Sequence, residues 1–167
     1  MKKFLCILCL SVVPLAAFCQ GLTPKNAFAQ LKKLVGTWEM KNPDGTISKV
    51  NYRLTGAGSA LFETQFPGEP HEMVSVYHLD GNRLMMTHYC AAGNQPTMVY
   101  HPGKDAKILT FDFFRGSNMK LSDMHIHSAK IKFLGPEQLK SEWTGYSKGK
   151  NAGTTIFELK RVPEATK

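Results

Sequence analysis

The run Met73-Val74-Ser75-Val76-Tyr77-His78-Leu79-Asp80-Gly81-Asn82-Arg83-Leu84-Met85-Met86-Thr87-His88-Tyr89-Cys90 decides the fold class. Two short extended segments flank Asp80-Gly81-Asn82, and turn residues between strand-forming runs are a strong hairpin signal. The pattern repeats outward in both directions. Upstream, Thr37-Trp38-Glu39-Met40 begins a strand, Asn42-Pro43-Asp44-Gly45 turns, and Ile47–Leu54 alternates with Val50, Tyr52 and Leu54 on one face. Gly56-Ala57-Gly58 turns again, and Ala60–Phe66 alternates through Ala60, Phe62, Thr64 and Phe66. Downstream, Thr97–His101, Ile108–Phe114, His125–Leu134, Leu139–Tyr146 and Thr154–Val162 read as further strands. No amphipathic helix falls between strands, so parallel crossovers are excluded. About ten short strands at near-regular spacing predict an all-β fold, an antiparallel meander barrel that leaves no long exposed edge. A two-sheet sandwich is the alternative.

One helix is expected, ahead of the strands. Thr23-Pro24 supplies an N-cap followed by proline at the first helical position. Ala27, Leu31, Leu34 and Val35 fall at helical spacing, and Gly36 ends the run.

The first twenty residues read as a signal peptide. Met1-Lys2-Lys3 precedes an uncharged run from Phe4 to Phe18, with small residues at Ala16 and Ala17. A membrane span needs about 20 apolar residues, and this run is shorter. The expected organisation is therefore a leader over 1–20 and one barrel domain over 21–167, exported to the periplasm or secreted. Acylation of Cys19, as in a lipoprotein, is the alternative, against which Phe18 stands as a poor neighbour. Cleavage removes Lys2 and Lys3, so 19 of the 21 basic residues remain against 13 acidic ones and the net charge of +8 becomes +6. The lysines are dispersed, which suits a solvated surface and not a nucleic-acid partner. Of the four cysteines, Cys6, Cys9 and Cys19 go with or border the leader, leaving Cys90. An exported domain with one cysteine has no internal disulfide and depends on its core.

A short helix leading into Gly36-Thr37-Trp38 and then antiparallel strands resembles the calycin group of lipocalins and fatty-acid-binding proteins. Roughly Leu34 to Val162 resembles a family of uncharacterised exported bacterial lipocalin-like proteins. Three stretches carry that resemblance: His71–Gly81, Thr87–Pro96 and Met124-His125-Ile126-His127. It implies the fold and brings no activity with it. Haem-binding barrels of the nitrobindin type are a more distant comparison. Their glycine-rich, tyrosine-containing continuation after the tryptophan is replaced here by Glu39-Met40-Lys41-Asn42-Pro43-Asp44-Gly45, which weakens a haem reading.

Histidine placement points to chemistry. Side chains two apart on a strand share a face. Leu84, Met86, His88 and Cys90 share one, and Val74, Val76 and His78 share one. With a three-residue loop, Leu79 pairs with Arg83, placing His78 opposite Leu84 and Val74 opposite His88; a two-residue loop shifts the pairing by one. His125 and His127 share a face with Ala129, Ile131 and Phe133, while Lys130 and Lys132 take the other. His88, Cys90, His125 and His127 thus form a candidate interior cluster, with His78 nearby and Tyr89 and Asn94 as further ligand contacts. Imidazole and thiolate suit zinc or another transition metal. The same groups suit a polar lining for a small, largely apolar molecule, or a hydrogen-bonded patch in a plain core. Cys90 as a nucleophile would need a base such as His88 or His127. Glu63, Glu69, Glu72, Asp112, Asp123 and Glu142 are scattered and read as mostly exposed. No phosphate loop and no Gly-x-Ser-x-Gly elbow occurs. Three readings follow: a small-molecule-binding module, a metalloprotein or enzyme built on the cluster, and a structural barrel with a filled core.

Overall fold

The structure, a computed structural model, describes residues 21–163. The expected leader over 1–20, with Cys6, Cys9 and Cys19, lies outside the described residues. Ten strands follow one helix: α1 (Pro24–Leu31), β1 (Gly36–Lys41), β2 (Ile47–Thr55), β3 (Ala60–Gln65), β4 (Met73–Asp80), β5 (Arg83–Tyr89), β6 (Gln95–His101), β7 (Ile108–Ser117), β8 (His125–Gly135), β9 (Gln138–Ser147) and β10 (Lys150–Arg161). Every strand pairs antiparallel with its neighbour in sequence, and β1 meets β10, so the sheet closes into a barrel. No helix among the described residues is long and apolar enough to cross a membrane.

The helix forms as its sequence predicts. The Thr23 side chain accepts a hydrogen bond from the Asn26 amide, and Pro24 occupies the first turn. Its apolar stripe, Ala27, Phe28 and Leu31, is buried with Leu34 of the following 3₁₀ turn. Two tethers fix this segment to the barrel end. The Trp38 indole donates to the Leu34 carbonyl at 2.8 Å. Arg161, near the end of β10, lies over the Trp38 ring at 4.3 Å and donates to the carbonyls of Val35 and Lys33. Gly36 holds φ +126°, and an added Cβ would meet the Arg161 guanidinium at 3.0 Å. That end is therefore capped. The opposite, open end carries the connections 42–46, 66–72, 90–94, 118–124 and 148–149.

Two expectations about strand faces, those for His78 and Cys90, are corrected. The β4–β5 hairpin pairs Asp80 with Arg83 across a two-residue turn, Gly81-Asn82. Gly81 adopts φ +57°, which lets the chain reverse without a third residue. The one-residue shift turns Ser75, Tyr77 and Leu79 to the side of Leu84, Met86 and His88. His78 faces the other way, half-buried, with Nδ1 donating to the Leu79 carbonyl. In β3 the Ala60/Phe62/Thr64 alternation is the outer face. Leu61, Glu63 and Gln65 are the buried set, because β3 pairs Gln65 with Val50 and Glu63 with Tyr52. Finally, β5 ends at Tyr89, so Cys90 sits in a turn and not on the His88 face; its sulfur accepts from the Ala92 amide.

The seam closes less tightly than the rest. Strand β1 pairs with β2 from Gly36 to Lys41 but with β10 only at Trp38–Arg161 and Glu39–Lys160. Toward the open end the two strands part.

Trp38 thus joins helix, seam and core. Trp38→Ala should cost about 3–5 kcal/mol, the usual range for deleting a buried aromatic. Urea unfolding would show this as a lower midpoint at unchanged slope.

Candidate functional site

Four residues on four adjacent strands occupy one row of the inner wall. Tyr52 pairs with Glu63, Glu63 with Ser75, and Ser75 with His88. All four are buried. Glu63 is 0% exposed, which reverses the expectation that it is a surface carboxylate. Its oxygens accept from the Tyr77 hydroxyl and, at 2.9 Å, from the Gln65 amide. Burial raises the Glu63 carboxyl above the ordinary range, and these hydrogen bonds pull part of the way back. Burial, followed by the charge of Glu63, pushes both the Tyr52 and Tyr77 hydroxyls well up. Among the described residues Glu63 has no lysine, arginine or histidine within ion-pair reach.

The Tyr52 hydroxyl lies close enough to Glu63 for charge and hydrogen bonding to shift both groups, outside ideal hydrogen-bond geometry. His88 Nδ1 is 3.0 Å from Ser75 Oγ, while His88 Nε2 has no partner. The His88 ring packs at 5.1 Å on Trp143, whose indole donates to Ser141 at 3.2 Å. Burial depresses the His88 pKa to about 4, so the ring is neutral near pH 7.

His125 and His127 form a separate unit near the open end. His125 is 2% exposed. Its Nδ1–H donates to the Asp123 carbonyl at 2.8 Å. With one proton on each ring, His125 Nε2 then accepts from His127 Nδ1 at 3.1 Å. His127 is the residue skipped by the β8–β9 register between Ile126 and Ser128. Its ring is sandwiched between Tyr146 at 3.9 Å and Phe113 at 5.2 Å. Burial first, and His125 second, hold the His127 pKa below its usual value.

The expected four-residue cluster is therefore divided. His125 and His127 meet; His88 lies with Ser75 and Trp143; Cys90 occupies a partly exposed turn. Among the described residues no three His, Cys, Asp or Glu side chains converge as a metal site would require. Of the other predicted contacts, Tyr89 is half exposed, and Asn94 is buried with its amide donating to the Met124 carbonyl at 2.7 Å.

A cleft of about 570 Å³ fills the gap where β1 and β10 part. Met40, Phe66, Ile156 and Phe157 give it apolar walls, and Ser48, Lys41 and His71 give it polar points. Phe66 adopts φ +55°, a left-handed conformation that costs a residue with a Cβ about 1 kcal/mol or more. Its ring meets His71 at 4.6 Å and Phe157 edge-on at 5.6 Å. No contiguous motif marks this site, whose residues come from β1, the 42–46 turn, β2, the 66–72 loop and β10.

No protein-family model matches the chain, and no curated protein is significantly similar to it.

His88 makes a pH prediction. Below pH ~6.5 the unfolded chain takes up a proton that the folded ring refuses until about pH 4. The stabilisation is complete above that range and is lost as pH falls through it, with a slope of up to about 1.4 kcal/mol per pH unit. Urea unfolding at stepped pH should show the slope in the parent chain and a shallower one in His88→Gln.

Proposed function

We propose that this chain is an exported, lipocalin-like binding protein that holds a small, largely apolar molecule in the seam cleft at the open end of the barrel. One observation carries the reading. The barrel wall opens on one side, and the opening is lined by inward and edge residues together, with a volume within the roughly 300–1,000 Å³ typical of ligand sites. The deep interior supports placing an apolar body there and not at the centre. Trp38, Tyr77, Met86, Met98, Phe111 and Leu61 belong to one packed cluster and are closed to solvent.

Phe66 supports the reading from a second direction. Backbone strain persists only where the surroundings hold it, and it gathers at ligand-contacting positions. The Phe66 amide donates to the Lys49 carbonyl at 3.0 Å, and its own carbonyl accepts from the Glu69 amide at 3.0 Å. These bonds hold the ring at the cleft wall between His71 and Phe157. The charge-free run Phe4–Phe18 behind Lys2-Lys3 supports export, to the periplasm or beyond. Zinc or haem has less support, because His88 lies apart from His125 and His127, and that pair uses nitrogens on each other and on the Asp123 carbonyl.

The test is titration with the uncharged fluorophore N-phenyl-1-naphthylamine, using the mature chain. One molecule should bind per chain. Ile156→Lys, which puts a charge on an exposed wall residue, should weaken binding at least about 10-fold, equivalent to about 1.4 kcal/mol. Phe66→Gly removes the ring and relieves the strain, and it should also weaken binding while the fold survives. His125→Ala should leave affinity unchanged. Binding insensitive to Ile156 and Phe66, or absent altogether, would refute the cleft as the site.

A further inference from the structure

The open end of the barrel carries two adjacent turns whose residue types run against turn chemistry. The first spans Lys120–Asp123. The Asp123 amide donates to the Lys120 carbonyl at 3.0 Å, and the Asp123 carboxylate accepts from the Lys120 amide at 2.8 Å. Leu121 stands at a corner of this turn and is 69% exposed. Corner positions ordinarily carry Gly, Pro, Asn, Asp or Ser. The second turn, Lys148-Gly149, joins β9 to β10 with both residues at positive φ, +52° and +71°. Asn, Asp or Gly is the usual residue at the place Lys148 takes. The Lys148 amide donates to the Ser122 carbonyl at 2.7 Å and ties the two turns together.

The tip so formed is held in place from several sides. Asn94 donates to the Met124 carbonyl at 2.7 Å, and Asn118 donates to the Gly93 carbonyl at 2.6 Å. Met119 folds onto Gly116, where an added Cβ would fall 2.2 Å from its sulfur, and Met124 folds onto Gly145, where the distance to its methyl would be 2.7 Å. Leu121 alone is turned out of the fold. Lys120 precedes it, Lys148 is bonded to its turn, and Lys150 begins β10 two residues on; all three are exposed, and none takes part in an ion pair among the described residues. The one acid in this turn, Asp123, bonds the Lys120 amide. The acids Asp44, Glu69 and Glu72 stand on the 42–46 and 66–72 connections and are each bonded within their own connection.

An apolar side chain held outward within a basic collar fits the interface of a lipid bilayer. Hydrocarbon would receive Leu121, with Met124, 46% exposed, behind it, and acidic headgroups would face the lysines. A stable protein interface needs about 800 Å² on each partner around a broad apolar centre, which a single turn corner does not provide. We propose that the turns Lys120–Asp123 and Lys148-Gly149 form a docking tip for a bilayer bearing anionic headgroups. Leu121 enters the interface while Lys120, Lys148 and Lys150 lie against the lipid phosphates. The tip shares no residue with the seam cleft, so it acts whether or not the cleft takes an apolar ligand.

Vesicle co-sedimentation of residues 21–167 tests this, with phosphatidylcholine alone and with equimolar phosphatidylcholine and phosphatidylglycerol. The chain should pellet with the anionic vesicles and not with the neutral ones, and raising sodium chloride should release it. The triple variant Lys120→Gln/Lys148→Gln/Lys150→Gln should weaken partitioning at least about 10-fold, since each basic group near an anionic surface contributes about fivefold. Leu121→Asp should weaken it at least about 10-fold as well. Both variants alter exposed side chains, so the Tm should stay at the parent value. Leu121→Trp should show an emission that shifts to the blue on anionic vesicles and is quenched by brominated acyl chains. Lys33→Gln, at the capped end, should bind as the parent does. Binding to neither vesicle would leave the tip to a protein partner and overturn the proposal. So would equal binding to both vesicles, undiminished binding in the triple or Leu121→Asp variant, an equal loss in Lys33→Gln, or a Leu121→Trp emission that does not move.

Discussion

A carboxyl group enclosed by ten strands must find its hydrogen bonds in the wall around it. Glu63 does so through Tyr77 and Gln65, each on an inward position next to its own. This demand constrains its neighbours. Gln65 has to point inward, so β3 has to present Leu61, Glu63 and Gln65 to the interior and leave Phe62 outside. Phe62 is then covered by the Arg53 guanidinium at 4.4 Å, which replaces core burial with a surface stacking contact. The face of β3 follows its polar residues, against the simple apolar preference.

Closure supplies the second constraint. A barrel removes sheet edges, but the helix and Arg161 hold the seam only at the capped end. Away from that clamp, β10 continues along β9 while β1 continues along β2. The cleft is the geometric result of two hairpins diverging from one short ladder. The strong tether around Trp38 at one end and the opening around Phe66 at the other are thus two consequences of the same strand pairing.

Much of this architecture was legible in the chain. Turn residues delimit ten strands, and Thr23-Pro24 marks the helix start. The Lys130/Lys132 alternation correctly turned Ala129 and Ile131 inward and predicted a buried His125. What failed was local. Asp80-Gly81-Asn82 is compatible with two- and three-residue turns, and one residue of slip reverses a face, which exchanged His78 for Tyr77. The bulge at His127 inserts a residue that strict alternation cannot represent. Glu63 was misread because a lone carboxylate on a strand is ordinarily exposed; its partners Tyr77 and Gln65 become visible only when the β2–β3–β4 register is known. Of the expected histidine cluster, His125 and His127 meet, while His88 is held by a hydrogen bond to Ser75 and Cys90 lies beyond the end of β5.

These features place the unusual chemistry of the molecule in the β2–β5 wall, with the histidine pair as a structural unit of the open end. The direct measurement is a carboxyl ¹³C NMR titration of residues 21–167, with Glu63 assigned by comparison with Glu63→Gln. The expected result is a Glu63 resonance that titrates above the remaining glutamates. A Glu63 resonance that titrates with the surface carboxylates would mean that water or a cation already reaches the group, and would contradict a buried, uncompensated carboxyl at the centre of this barrel.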